Sequence, residues 1–455
     1  MDFAPLRTKL GGELVAAADA GYETRRREMA WNRLAPAARP AAVVRVADRG
    51  DVVESIRFAR ENGLQVAVRG GGHHWSGVSL REGSLLLDLS RLDAVEIDPV
   101  ARTARVEPVV SNRELARRLE AHGLAFPLGH CPSVSVSGYL LGGGLGWNPG
   151  MWGPACASVE AVEVVTPKGD IVVADARNEP DLLWAARGAG PAFFAVVTAF
   201  HLELHPLPRA IRNCTLIYPL QRLGEIATWL EEVGPRLAPC VETVVCIAAA
   251  PPDIAGLTRG SNGMACLVIA TAFAGTEGEA EEALAPLVGD QVPPRSLART
   301  PAAATSFDGL FDGIARLFPE EHRYLADALW TSAPAAAAAP PLAAAYAAAP
   351  SIQSLALVVV GVPQAEIGAL RLPGGRFLLC YAIWKNAQDD RANRDWHARL
   401  VAELEPMATG RYVGEADLAG GAGRIAGCYS AETWRRLLDL RQRYDPGRVF
   451  CSFPG

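Results

Sequence analysis

From about residue 40 the apolar positions alternate between strand-like and helix-like spacing. "AAVVRVA" is apolar and β-branched, and "LQVAVRG" repeats that pattern after "DVVESIRFARENG". The middle segment predicts a helix, with Asp51 and Glu54 in capping-box spacing at its start and Asn62 and Gly63 at its stop. "SLLLDLS", "AVEIDP" and "TARVEPVV" then read as short alternating strands. "SNRELARRLEAHG" reads as a helix capped by Ser111 with Glu114 and stopped at Gly123. "SVEAVEVVTPKGDIVVAD" is a strand pair turning at Lys168 and Gly169. "DLLWAARGAGPAFFAVVTAFHLELHPLP" gives a short helix, a glycine turn and a long strand ended by Pro206 and Pro208, which mark the first expected domain boundary.

Residues from about 209 to 410 follow a different pattern. Strands "CVETVVCIAAA", "NGMACLVIATAFAG", "SLALVVVGV" and "RFLLCYAIW" are interspersed with helical stretches such as "TEGEAEEALAPLVG", the mixture expected of an α+β domain with an antiparallel sheet. The alanine-rich "TSAPAAAAAPPLAAAYAAAP" reads as a surface helix or linker. The tail "SAETWRRLLDLRQRYDPGRVF" reads as a helix capped by Ser430 and stopped by Asp445 and Pro446.

Composition narrows the function classes. With 455 residues, half of them apolar, the chain can bury a sizeable core and is expected to form two or three domains. The formal charge of −6, with no basic run, argues against nucleic acid as a partner. The N-terminus is interrupted early by acids and glycines, and no apolar run approaches the roughly 20 residues that span a bilayer. A soluble, cytoplasmic protein without a membrane partner is expected. Nine scattered cysteines without a CxxC suggest neither a disulfide framework nor a zinc site, and no metal is expected.

Two glycine-rich elements carry the candidate chemistry: "VAVRGGGHHWSG" at residues 66–77 and "GHCPSVSVSGYLLGGGLGWNPGMWG" at residues 129–153. Glycines admit positive φ and close approach of backbone amides to a phosphate or a planar ring. Neither element matches the GxGxxG of a dinucleotide fold or a GxxxxGK[ST] phosphate loop.

Four motifs occur in a telling order: Arg69 to His73, the "GHCP" of residues 129–132, the GGGxG of Gly142 to Gly146, and the "RYDPGRVF" of residues 443–450. On these the chain resembles the berberine-bridge-enzyme-like flavoprotein oxidases of the vanillyl-alcohol oxidase superfamily, most fully over residues 36–207 and more loosely over 405–450. The resemblance implies an α+β protein. A two-subdomain FAD-binding domain of the PCMH type would occupy residues 1–207, with its core at 36–207. A substrate domain with an antiparallel sheet flanked by helices would occupy 208–410, and residues 411–455 would return to the FAD-binding domain.

The resemblance also implies site residues. FAD would be covalently bound through its 8α-methyl to His73 and through its 6-position to Cys131, with His74 a neighbour rather than the link. Arg69 and the amides of Gly70, Gly71 and Gly72 would face the cofactor, with Ser76 and Gly77 closing that loop. Ser137, Gly138, Gly142, Gly143 and Gly146 would line the other side, and the strand at Val196 and Val197 would pass the cofactor's edge. Here the chain reads "GPAFFAVVT", with Pro191 and Ala192 where the family usually has glycine and asparagine. Val134, three residues after Cys131, stands at the family's oxygen gate, where a small side chain implies an oxidase that makes hydrogen peroxide from dioxygen.

The base segment departs most. In "RYVGEADL", Tyr412 keeps the first position of the family's YxNY, while Gly414 and Glu415 replace asparagine and tyrosine. A partly buried carboxylate can serve as general base, so Glu415 is the leading candidate. Tyr381 is the alternative base, Trp384 a wall for substrate, and Tyr429 a further candidate near the flavin. The substrate would be a small molecule with a C–H bearing hydroxyl or amine. Two alternatives stay open: a dehydrogenase with a non-oxygen acceptor, and a flavin-fold binding protein without catalysis.

Overall fold

Strand alternation and helix capping sort the chain into three main sheets. The structure, a computed structural model, describes residues 1–34, 36–289 and 292–451. The first sheet runs in the order Glu13–Ala16, Ala42–Arg45, Leu85–Asp88, Val66–Arg69; its first pair is antiparallel and the others parallel. "SLLLDLS" departs from the expected alternation: Leu85, Leu86 and Leu87 are all buried, because this strand lies between two parallel neighbours and is covered on both faces. The sheet's exposed edge is closed by the C-terminal segment, where the Val66 amide donates to the Val449 carbonyl at 2.7 Å and the Cys451 amide to the Val66 carbonyl at 2.9 Å.

The helix before Val66–Arg69 also starts differently. It spans Arg49–Glu61 with Asp48 as the cap, accepting from the amides of Gly50 and Asp51. Asp51 accepts instead from the amides of Gly11, Gly12 and Ala47, fastening the N-terminal strand to this layer. Ser111 and Ser430 cap their helices as expected, through the amides of Glu114 and Thr433. The second sheet is five-stranded and antiparallel, in the order Val95–Asp98, Thr103–Val106, Val196–Glu203, Val159–Val165, Ile171–Ala174.

The third sheet is eight-stranded and antiparallel, as expected for an α+β chain. Its central strands are Ala210–Pro219, Met264–Ala274, Val241–Ala249, Leu355–Val362, Gly375–Trp384 and Arg323–Thr331. Helices Leu223–Val233, Glu277–Val288, Ala335–Ala347 and Asp390–Leu404 cover one face, where Leu378, Cys380 and Ala382 pack against Leu342, Trp396 and Leu400. The alanine-rich stretch is thus a helix with one buried face, not a linker. The opposite face, with Tyr324, Trp330, Phe377, Leu379 and Tyr381, packs against Trp31, Trp75, Cys131 and Tyr412 from outside the sheet.

Candidate active site

The loop after Val66–Arg69 is braced from below. Arg69 donates to Asp88, whose side chain is fully buried, at 3.0 Å and to the Gly71 carbonyl at 3.1 Å. The two glycine-rich elements meet here: the Gly71 amide donates to Ser135 Oγ at 2.8 Å. A Cβ at Gly70 would stand 2.1 Å from Ser137 Oγ, and one at Gly71 2.7 Å from Ser135 Oγ. Gly72 has φ +72°, and a Cβ there would stand 2.5 Å from the Met29 carbonyl oxygen. These glycines therefore serve the contact between loops, and the Gly71 amide is already engaged.

Other positions of the expected cradle divide between fold and groove. Gly138 is exposed, with open space where a Cβ would be, while Gly142 backs onto Gly414. Gly143, Gly146 and Gly77 are small for the fold's own packing: a Cβ would meet Leu370, the Leu128 carbonyl and Pro36 respectively. Ser76 does not close a phosphate loop, because its hydroxyl donates to Asp417 and accepts from the Leu418 amide, both at 3.0 Å. The Val196 side chain is fully buried in the core with Val165 and Phe450. Its parity on the strand turns it inward.

His73 lies between Trp31, which stacks on it at 5.0 Å, and the 131–137 loop. Burial first, and then the Arg69 guanidinium, hold its pKa down at about 4, while a bond to the Ser133 backbone opposes them. The imidazole is therefore neutral at neutral pH, with one ring nitrogen engaged by the Ser133 carbonyl. Burial and the nearby Glu415 carboxylate push the Cys131 thiol up to about 12. Val134 sits half-buried in the same loop, its carbonyl accepting from the Asn112 amide at 2.9 Å. These groups fit a flavin dinucleotide: open space beside Gly138, a buried Arg69 Nε without a hydrogen-bond partner among the described residues, and a neutral imidazole with a nitrogen to spare. His73, Cys131 and Arg69 would hold it.

Glu415 is brought to this point by the turn that follows Tyr412. Its Oε2 accepts from Trp75 Nε1 at 2.5 Å and from the Tyr381 hydroxyl at 3.0 Å. Burial raises its pKa to about 6 against the opposing pull of those two donors and of His130. A carboxyl of that pKa is about nine-tenths ionised at pH 7 and still basic enough to take a proton. The Tyr381 hydroxyl is its donor. Burial and the adjacent carboxylate hold its phenol well above the usual range. The Tyr412 hydroxyl accepts from the Gly144 amide at 3.1 Å, and its pKa is also raised by burial, so it anchors the turn.

Two sequence candidates lie elsewhere. Trp384 is three residues from Tyr381 on one strand and so points to the opposite face, into the helical layer, where Nε1 donates to Asp390 at 2.8 Å. It cannot form a wall for substrate. The Tyr429 hydroxyl donates to the Ala189 carbonyl at 2.7 Å and its ring stacks on Trp434, in the core of the second sheet. Sequence reasoning missed Trp31 and Trp75, whose rings pack with each other and with Tyr324 at 5.1 to 5.9 Å beside His73. Trp75 could have been found from its place two residues after His73.

Fold and site together define a flavin-dependent oxidoreductase. The FAD binding domain family model matches residues 40–175. The chain is 27% identical over 440 residues to the FAD-linked oxidoreductase penO of Penicillium crustosum, spanning 95% of this chain and 94% of that one. It is 31% identical over 226 residues to berberine bridge enzyme-like 24 of Arabidopsis thaliana, 47% of this chain and 41% of the relative. The crystal structure of 6-hydroxy-D-nicotine oxidase from Arthrobacter nicotinovorans shares the fold, with a TM-score of 0.84 at 24% identity over 99% of this chain and 98% of that one. The chain is an FAD-linked oxidoreductase, similar in sequence and fold to berberine-bridge-enzyme-like proteins.

Proposed function

We propose that this protein is an oxidase with FAD bound covalently at His73 and Cys131, that it oxidises a C–H bearing hydroxyl or amine of a small molecule, and that dioxygen receives the electrons to give hydrogen peroxide. Residues 1–207 and 411–455 would hold the cofactor, and 208–410 would wall the substrate. The observation that carries the reading is Glu415: a half-buried carboxylate, raised to about 6, beside the loops of His73 and Cys131. When bound, FAD supplies the hydride acceptor.

Each remaining task falls to residues of the chain. Glu415 takes the hydroxyl or amine proton, and the Trp75 and Tyr381 donors on Oε2 fix the carboxylate and leave Oε1 toward substrate. Trp75, Tyr324, Phe377 and Tyr381 supply an apolar, aromatic surface that excludes water from that exchange. The small side chain of Val134 supports access of dioxygen.

The test is intact mass and in-gel flavin fluorescence after denaturation, on wild type, His73→Ala, Cys131→Ala and the double variant, with peroxide measured per substrate turned over. We expect flavin retained by each single variant and lost from the double, and one peroxide per turnover in wild type. A chain of unmodified mass after growth with ample riboflavin would contradict the covalent reading; substrate oxidation without peroxide would contradict the oxidase reading.

A further inference from the structure

Directly after His73, three consecutive side chains reach across to the segment that bears Glu415. His74 Nδ1 accepts from the Ser76 amide at 3.3 Å, which places its proton on Nε2, and Nε2 donates to the Val413 carbonyl at 3.2 Å. Trp75 donates to Glu415 at 2.5 Å. Ser76 Oγ donates to Asp417 Oδ1 and accepts from the Leu418 amide. The pairing therefore runs 74 to 413, 75 to 415 and 76 to 417 and 418, one loop clasping every second residue of the other. The far side is held independently by Asp327, whose Oδ1 accepts from the Asp417 amide at 3.1 Å and whose other oxygen pairs with Arg424.

We propose that His74, Trp75 and Ser76 are positioning residues for Glu415, so that the loop carrying the flavin-linking histidine also sets where the base stands. The proposal rests on Glu415 being the base. A glutamate side chain has three free torsions, and two donors on one oxygen remove most of that freedom while leaving the other oxygen for substrate. Displacing a reacting group by about 1 Å can cost about a hundredfold in rate, so a clasp of this kind has a measurable consequence. It also gives the second histidine of "GGGHHW" a task that the flavin bond does not need. His74 is neutral, its pKa held at about 4 by burial against the opposing Val413 carbonyl, as its role of single donor requires.

The titratable groups facing Glu415 are Tyr381 from the sheet, Tyr412 from its own segment, and Cys131 and His130 from the 129–134 loop. Of these, His130 and Tyr381 favour the charged carboxylate, as does Trp75. Removing the indole donor therefore moves the titration of Glu415 upward.

The test uses the holoenzyme. In ¹⁵N-labelled protein the Trp75 indole N–H resonance, identified by its loss in Trp75→Phe, should titrate with a midpoint near the pKa of about 6 assigned to Glu415, and stop titrating in Glu415→Gln. In steady state, Trp75→Phe should move the acid limb of kcat/KM to higher pH. Ser76→Ala should lower kcat about tenfold with KM little changed, with recovery in Ser76→Thr. An indole resonance indifferent to Glu415→Gln overturns the proposal, and needs no folded Ser76 variant. So does an acid limb that vanishes in Glu415→Gln yet stays put in Trp75→Phe, with Ser76→Ala at the wild-type rate; that pattern leaves the base standing. An acid limb that survives Glu415→Gln removes the base reading itself, and the proposal with it.

Discussion

The strand Gly375–Trp384 has two faces with opposite duties. Phe377, Leu379, Tyr381 and Ile383 face the loops that bear Trp75 and Cys131, while Leu378, Cys380, Ala382 and Trp384 face the helical layer. Both faces are buried and both carry a large aromatic with a polar tip bonded to a carboxylate: Tyr381 to Glu415 and Trp384 to Asp390. The carboxylates differ. Asp390 is paired with Arg323 at 2.6 Å, and its pKa is lowered despite partial burial. Among the described residues Glu415 has only neutral donors in direct contact, and burial wins, lifting it to about 6. The same contact is thus structural where a guanidinium neutralises the charge and chemically poised where none does.

The largest effect expected from this contrast is Glu415→Gln, which should lower kcat/KM by about 10²–10⁴ while leaving thermal stability near wild type. On the other face, Trp384→Ala should cost about 3–5 kcal/mol in denaturant unfolding and leave the pH dependence of turnover unmoved. A shifted pH profile in Trp384→Ala would break the contrast between the faces. Tyr381→Phe keeps the ring but removes a hydrogen bond to the charged carboxylate, so the acid limb should rise by about one pH unit.

The smallest expected effect concerns stability against pH. A half-buried imidazole whose pKa falls from 6.5 to about 4 on folding contributes stability above pH 6.5 that is lost as pH falls through 4, and His74 is such a group. Glu415, raised from 4.5 to about 6, acts in the opposite sense, favouring the fold as pH falls from 6 to 4.5. Glu415→Gln should therefore lose stability more steeply on acidification than wild type, read as Tm between pH 6.5 and 4.5.

Much of the architecture was legible because alternation, capping residues and glycine stops are local signals. The antiparallel sheet and the helices capped by Ser111 and Ser430 followed from them. What was not legible depended on neighbours distant in sequence. Leu85 to Leu87 departed from alternation because two parallel strands flank them, and Asp48 displaced Asp51 as cap because Asp51 was needed by Gly11 and Gly12. At the site, the raised pKa of Glu415 and the bond it accepts from the Tyr381 hydroxyl depend on segments that only the fold brings together. The misplacement of Trp384 was avoidable, since three residues from Tyr381 on a strand is an odd step and reverses the face.

The most direct measurement is anaerobic single-turnover bleaching of the bound flavin across pH 5 to 8, in wild type and Glu415→Gln, using a panel of benzylic alcohols and cyclic amines. The wild-type reduction rate should fall below a midpoint near 6, and the Glu415→Gln rate should be lower throughout and flat over that range. A wild-type rate independent of pH, or the same limb in Glu415→Gln, would contradict Glu415 as the base.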